Sequence, residues 1–291
     1  MHRIVQWLFL PSMLVGFTVG AVWSAGRGAP KWQLIALLMV AIGWSFLAER
    51  LAPYDLTWNQ SHGDAARDVV HGVVNESLQL LSLFMLPVLV DVLAIEGLWP
   101  SRWPFWLEVI AAVAVLDAGV TFGHWWSHRW SPLWRLHSVH HSVTRFYGFN
   151  GLMKHPLHQL FETSLATAPL VIIGLPVDVA TALVCCVAIQ LLVQHSNVDY
   201  RAGAVRWLIA VNQVHRFHHL KWSGVGDVNF GLFFTVWDRL LGTAVWDPSK
   251  RFSSAELGIA AEPEHPSSYI AQLRYPFRPA RMVAADVHAE R

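Results

Sequence analysis

Cysteine is almost missing from this chain of 291 residues: Cys185 and Cys186 are the only two. They lie side by side in an apolar run, which excludes both a disulfide framework and a CxxC metal pair. Charge is scarce as well, at 14% of residues, and the formal net charge is +1 without any long run of Lys and Arg. A global electrostatic drive toward nucleic acid is therefore excluded. The zinc-protease pattern His-Glu-x-x-His does not occur. Gly224 and Gly226 precede Asp227 and Asn229 without the strand–turn–helix setting of a dinucleotide fingerprint, so that segment reads as a structural loop. No other segment looks like a flavin or nicotinamide site, and no internal repeat or low-complexity linker interrupts the chain.

What the chain has in abundance is apolar surface. Hydrophobic residues make up 54% and the mean hydropathy is positive, outside the range of ordinary soluble domains. A bilayer core about 30 Å thick needs roughly twenty apolar residues per helical span. Residues 4–24, 32–47, 78–98 and 105–122 fit four spans. Two further apolar segments between Pro156 and His195, broken at Gly174-Leu175-Pro176, read as a hairpin that returns to its starting side. Arg3 before the first run and Ser24-Ala25 after it resemble a secretory signal, but the run exceeds the roughly 7–15 residues of a signal's apolar core and reads as a retained span.

This arrangement puts residues 123–156 and 195–291 on one face. Arg129, Arg135, Arg145 and Lys154 there outnumber Arg27, Lys31 and Arg102 opposite, so positive-inside bias makes that face cytosolic. The expected fold is an all-α integral membrane bundle of about four spans plus a helical hairpin, with a cytosolic histidine-rich cap. Residues 1–248 form its membrane-embedded domain, and residues 249–291, polar and proline-bearing, form a surface tail. Sixteen tryptophans, among them Trp125, Trp126, Trp130, Trp134, Trp207 and Trp222 beside the histidine segments, fit an interfacial belt.

Eleven of the sixteen histidines fall between His124 and His219. His124 and His128 are four apart, one face of a helix; His137, His140 and His141 repeat the i, i+3, i+4 pattern, and His215, His218 and His219 repeat it again. A lone buried histidine is more often a hydrogen-bonded core residue than a ligand. Eight neutral imidazoles packed together are different, because each has one donor and one acceptor and desolvation leaves too few mutual partners. Metal coordination removes that difficulty. Imidazole suits zinc, copper, iron and nickel alike, but eight ligands exceed the three or so of a mononuclear hydrolytic zinc and point to two ions.

The three boxes His124-x3-His128, His137-x2-His140-His141 and His215-x2-His218-His219 resemble those of the fatty acid hydroxylase and sterol desaturase superfamily. The likeness includes Asp117, Trp134-Arg135, the QHSN segment from Gln194 to Asn197, Asp227-x-Asn229-Phe230-Gly231, Trp237-Asp238-Arg239 and Gly242-Thr243, over roughly residues 104–245. Asn212-Gln213 departs from the Thr-Pro that many relatives carry before the third box. The resemblance implies a di-iron centre of two iron ions at the cytosolic face, with dioxygen as co-substrate, that hydroxylates or desaturates an unactivated C–H bond of a lipid: a sterol, fatty acyl chain, sphingolipid, carotenoid or ether lipid. Oxidising chemistry of this kind favours dry surroundings and imidazole over thiolate ligands.

Within that reading, His124, His128, His137, His140, His141, His215, His218 and His219 are expected ligands, and His195, in the QHSN segment, a ninth. Asp117, a carboxylate inside an apolar span seven residues before His124, is expected to accept an imidazole N–H and orient a ligand, against the plainer reading of a helix-packing hydrogen bond. His155, His158 and Glu162 share one helix face and line either the site or a helix-start network. Electrons are expected from a separate protein, a b-type cytochrome, ferredoxin or reductase. Arg145, Lys154, Arg201, Arg206, Arg216 and Lys221 could form its docking face or could pair with anionic headgroups. The expected location is a bacterial cytoplasmic membrane or the endoplasmic reticulum. The rival reading in another class is a divalent-metal transporter using the same histidines, which would spread its ligands along a transmembrane route; a bis-histidine haem protein would leave most of them unused.

Overall fold

A computed structural model of the chain describes residues 1–279; the last twelve positions of the expected tail lie outside the described residues. The architecture is helical, and five helices are long and apolar enough to cross a membrane. They are α1 (His2–Gly26, with a π-helical stretch at Ser12–Val19), α2 (Lys31–Leu51), α3 (Ala65–Leu93), α4 (Phe105–Ser127) and α7 (Val177–His195). Between the last two come α5 (Ser131–His141) and α6 (Pro156–Ile172); the chain reverses from α6 into α7 at Gly174, whose φ of 90° suits glycine, but α6 packs on α3 and α4 and not along α7, so the expected hairpin is a reversal without a packed pair. The single turn α8 (Asn212–His215) carries the start of the third histidine box.

The outward faces are greasy. Ile35, Met39 and Val40 on α2, and Leu80, Phe84, Val88 and Val92 on α3, are exposed, as a lipid-facing surface requires. Exposed tryptophans other than Trp7 form two groups: Trp23, Trp32, Trp103 and Trp106 near one end of the helices, and Trp126, Trp130, Trp207 and Trp222 beside the histidine segments. The chain is an integral membrane helical bundle.

Helix α3 begins at Ala65, well before the apolar window at residue 78, because its first turns bury polar rather than apolar side chains. Asp68 accepts from Tyr147 Oη at 2.8 Å, and the Asn75 amide donates to the carbonyls of Leu152 and Lys154. Each bond fastens the span to the segment just before α6. Close packing joins α4 to α6: a Cβ on Gly119 would lie 2.5 Å from Ala166 Cα, so only glycine permits this approach.

The described part of the tail is not a loose extension. Phe252 and Leu257 are buried in a cluster with Trp58, Phe146, Phe217 and Leu220. Farther on, Gln272 Oε1 lies 2.8 Å from His71 Nε2, and Gln272 Nε2 donates to Ser142 Oγ at 3.0 Å. Polarity hid this packing, since the contacts are hydrogen bonds and scattered aromatics rather than a periodic apolar face.

Candidate metal centre

Helix ends and loops bring all nine expected ligands into one buried region. The ligand atoms fall into two groups: His124, His128, His137, His141 and His218 in the first, His140, His195, His215 and His219 in the second. Within each group they lie within 4.8 Å of one another. The adjacent residues His140 and His141 divide between the groups, and so do His218 and His219.

Backbone carbonyls and one carboxylate fix the ring tautomers. His124 Nδ1 donates to Phe230 O at 3.0 Å, His140 Nδ1 to Met153 O at 3.1 Å and His218 Nδ1 to Val228 O at 2.9 Å; these acceptors carry no proton, so the hydrogen sits on Nδ1. His128 Nδ1 donates in the same way to Asp227 Oδ1 at 2.7 Å. Each of these rings therefore presents a bare Nε2 lone pair.

The Nε2 atoms converge. In the first group His124 and His137 approach to 3.0 Å, His137 and His141 to 3.0 Å, and His128 and His141 to 3.1 Å. Three contacts need three protons, but only His137 and His141 have tautomers free to supply them. Even then His137 Nδ1 and His218 Nε2 remain buried without partners. In the second group His195 and His215 meet at 3.1 Å and His215 and His219 at 3.2 Å, leaving Nδ1 of His215 and His219 unpartnered. Hydrogen bonding cannot close such a set. A cation receiving the lone pairs does, and an all-imidazole donor set fits iron among other transition metals.

Burial, and then the charge of neighbouring rings, holds the imidazoles of His128, His137, His140, His141, His215, His218 and His219 well below their ordinary pKa. They are neutral at physiological pH, the form in which histidine binds metal.

Asp117 departs from its expected role. Its oxygens meet no imidazole among the described residues. They accept instead from the backbone N–H groups of Leu232, Phe233 and Phe234 at 3.0, 2.7 and 2.8 Å. Asp238 takes the N–H groups of Phe230 and Gly231 at 2.7 and 2.9 Å. Two carboxylates thus hold five successive amides, and the Phe230 carbonyl fixed in this way orients His124. The contact with imidazole expected of Asp117 belongs to Asp227, which the sequence placed in a merely structural loop.

Other polar residues fasten the histidine segments together. The Asn212 amide, at the departure from the family pattern, donates to the carbonyls of Ser196 and Val198 at 3.0 and 2.9 Å and ties α8 to the end of α7. His158 Nε2 sits 2.9 Å from Ser127 Oγ, and its Nδ1 is 3.8 Å from Glu162 Oε2; together with His137 these two form a third potential ligand group. His155 instead caps α6, accepting from Leu157 N at 3.1 Å. Of the six basic residues considered for docking, three are engaged internally: Arg145 pairs with Asp64 at 2.7 Å, Lys154 with Glu162, and buried Arg216 stacks 3.9 Å over Tyr54.

A cavity of 460 Å³ runs between α3, α4, α6 and α7, lined mainly by Leu, Val and Ala. Val120, Lys154, Glu162, Leu191 and Leu232 border both this cavity and a small pocket against His124, His137, His140, His195 and His215. An apolar chamber in the bilayer therefore adjoins the histidine groups.

The family model for fatty acid hydroxylase matches residues 109–243, the stretch that holds every one of these histidines. Over that stretch the chain is similar to the fatty acid hydroxylase family. It is 29% identical over 286 residues to the ornithine lipid hydroxylase OlsE of Rhizobium tropici, covering 95% of this chain and 85% of the relative. It is 26% identical over 160 residues to an alkylglycerol monooxygenase of Xenopus tropicalis, covering 54% of this chain and 34% of that protein. With methylsterol monooxygenase 1 of Gallus gallus the identity is 27% over 153 residues, half of each chain. No solved structure matches the chain.

Proposed function

We propose that this protein is a membrane-bound di-iron lipid hydroxylase, with the first and second histidine groups each holding one iron. The observation that carries the proposal is the convergence of bare Nε2 atoms in two groups beside an apolar chamber. Bound there, the ions would supply reductive activation of dioxygen: one oxygen atom enters a C–H bond and the other leaves as water, at the expense of two electrons and two protons from an external donor. Relatives named as lipid hydroxylases and monooxygenases support this reaction class.

The chain's own residues prepare the site. The Phe230, Val228 and Met153 carbonyls and Asp227 hold four imidazoles in the ligand tautomer and raise their basicity. Asp117 and Asp238 hold the loop that carries Phe230. Leu and Val side chains exclude water and align the hydrocarbon, which sets the C–H bond presented to the histidine groups. Electrons reach the histidine-rich face, which we assign to the cytosol, from a separate carrier. The transporter reading is disfavoured because all nine histidines gather in one region instead of following a route through the bundle.

The test is metal content and a Mössbauer spectrum on protein purified in mild detergent from iron-supplemented cells, followed by lipid mass spectrometry. About two coupled irons per chain and a lipid heavier by one oxygen are expected. His124→Ala and His215→Ala should each abolish the product while the protein remains membrane-inserted. Folded protein that takes up no iron overturns the proposal.

A further inference from the structure

Three segments on the histidine-rich side meet in a patch that the oxidation chemistry does not use. They are the first turns of α1, the loop 201–208 with its 3-10 turn Gly203–Trp207, and the short helix Val236–Leu241. Arg201 N donates to Gln6 O at 2.9 Å. Thr235 fastens the loop from the other flank, its N donating to Leu208 O at 3.0 Å and its Oγ1 to Trp207 O at 2.7 Å. Large apolar side chains stand out from this patch instead of turning inward: Trp7 is 62% exposed, Trp207 52%, Leu208 60% and Leu240 73%. Trp7 shares a helix face with exposed Ile4, Leu8 and Val15, so the patch is continuous with the lipid-facing wall of a span.

Arginines stand among these side chains. Arg201 lies over the Trp7 ring at 5.2 Å, Arg206 over Trp246 at 4.6 Å and Arg239 over Trp207 at 6.0 Å. Arg206 donates to Gly203 O and Arg239 to Trp207 O; among the described residues no other hydrogen bond and no ion pair reaches these three guanidinium groups. The carboxylates of the same segments are already bound. Asp199 accepts from Gln6 Nε2 at 2.8 Å, Asp238 from two backbone amides and Asp247 from Ser249. The patch thus offers three cations with spare N–H donors, each beside an indole, at the level of the first turns of a span. Indole and guanidinium together suit the boundary between hydrocarbon and headgroups. An acidic carrier protein would complement the charge, but it could cover Trp7, Trp207, Leu208 and Leu240 only by displacing lipid from the adjoining wall of α1.

We propose that this patch is an interfacial foot that takes the phosphates of anionic lipids, and that leaflet charge thereby steadies the third histidine box. The proposal rests on the membrane fold and not on the hydroxylase reading. Arginine suits the task because its planar fork matches phosphate oxygens while its stem lies along apolar surface. The connection to the histidines is short. Ala210 N donates to Phe233 O at 2.8 Å and α8 begins at Asn212, so the loop 201–208 leads directly into His215. On the other flank, Phe230, whose carbonyl orients His124, lies on the segment that ends at Thr235. Lipid that holds the foot therefore restrains both the entry to the third box and the loop behind His124.

The test uses the iron-free full chain. Native mass spectrometry in detergent compares retention of phosphatidylglycerol and phosphatidylcholine, and hydrogen exchange compares nanodiscs of phosphatidylcholine alone with nanodiscs containing phosphatidylglycerol. Phosphatidylglycerol should be retained in preference, and Arg201→Gln, Arg206→Gln and Arg239→Gln should each weaken that preference by about fivefold, the scale of one cation near an anionic surface. Amides of residues 203–219 should exchange more slowly in the anionic nanodiscs. The triple Gln variant should lose that difference while the spans α4 and α7 keep their protection. Equal retention of the two lipids by the wild type overturns the lipid contact, and equal exchange at residues 212–219 in the two nanodiscs overturns the link to the histidine box. Slowing that needs an added acidic ferredoxin and does not occur with anionic lipid makes the patch a protein-docking surface and overturns the proposal as well. Because no iron is present, these outcomes are independent of whether the chain hydroxylates lipid.

Discussion

At His128 the choice between ring nitrogens is made by Asp227, whose carboxylate accepts the Nδ1 proton and is itself held by Gly224 N at 2.8 Å. Removing it leaves His128 free to adopt the other tautomer or to turn. Asp227→Ala should therefore lower iron affinity by about 10–100-fold, the usual effect of losing a carboxylate behind a metal-binding imidazole. Iron retained after dialysis against a chelator measures this, with the helical circular dichroism unchanged; wild-type retention would remove Asp227 from the site. The sequence could not show this contact, because the partners stand 99 positions apart in a loop without periodicity. The histidines were legible for the opposite reason: four-residue and three-residue spacings write a helix face directly into the chain. Asp117 was half legible. A carboxylate in an apolar span signalled a task, but its partners are backbone amides, which leave no mark in a sequence.

Among the elements, α4 and α6 form the closest packed pair, and Gly119 sets their separation. A Cβ on Gly119 meets backbone 2.5 Å away, which cannot yield, whereas one on Gly123 meets the Leu165 side chain at 3.1 Å, which can rotate. Gly119→Ala should destabilise the fold by roughly 1–3 kcal/mol and Gly123→Ala by clearly less. Thermal unfolding in detergent ranks them, and equal Tm values for the two variants would contradict the packing account. Span positions followed from apolar length, so α1, α2, α4 and the chain reversal between α6 and α7 were readable. The start of α3 was not, because Asp68, His71 and Asn75 satisfy one another's neighbours inside the protein and look from the sequence like the end of a span.

For the whole molecule, seven imidazoles outside the spans are neutral in the fold and have pKa values well below the roughly 6.5 of an unfolded chain. Below that value the unfolded chain binds more protons than the folded one, so stability is fully present above about pH 6.5 and is lost as pH falls toward the folded values. The Tm of iron-free protein should therefore drop steeply between about pH 6.5 and pH 5, and iron should shift the drop to lower pH, since protons must then displace the metal. A flat Tm across that range would mean that these rings are not buried neutral. The same cluster has a further property, which follows from His140–His141 and His218–His219 each straddling the two groups. Consecutive residues on one backbone cannot be ordered separately, so seating the first ion fixes half of the second ion's rings before it arrives. On the proposed two-iron reading, loading is expected to be cooperative, so that at limiting iron the population divides between empty and doubly loaded chains.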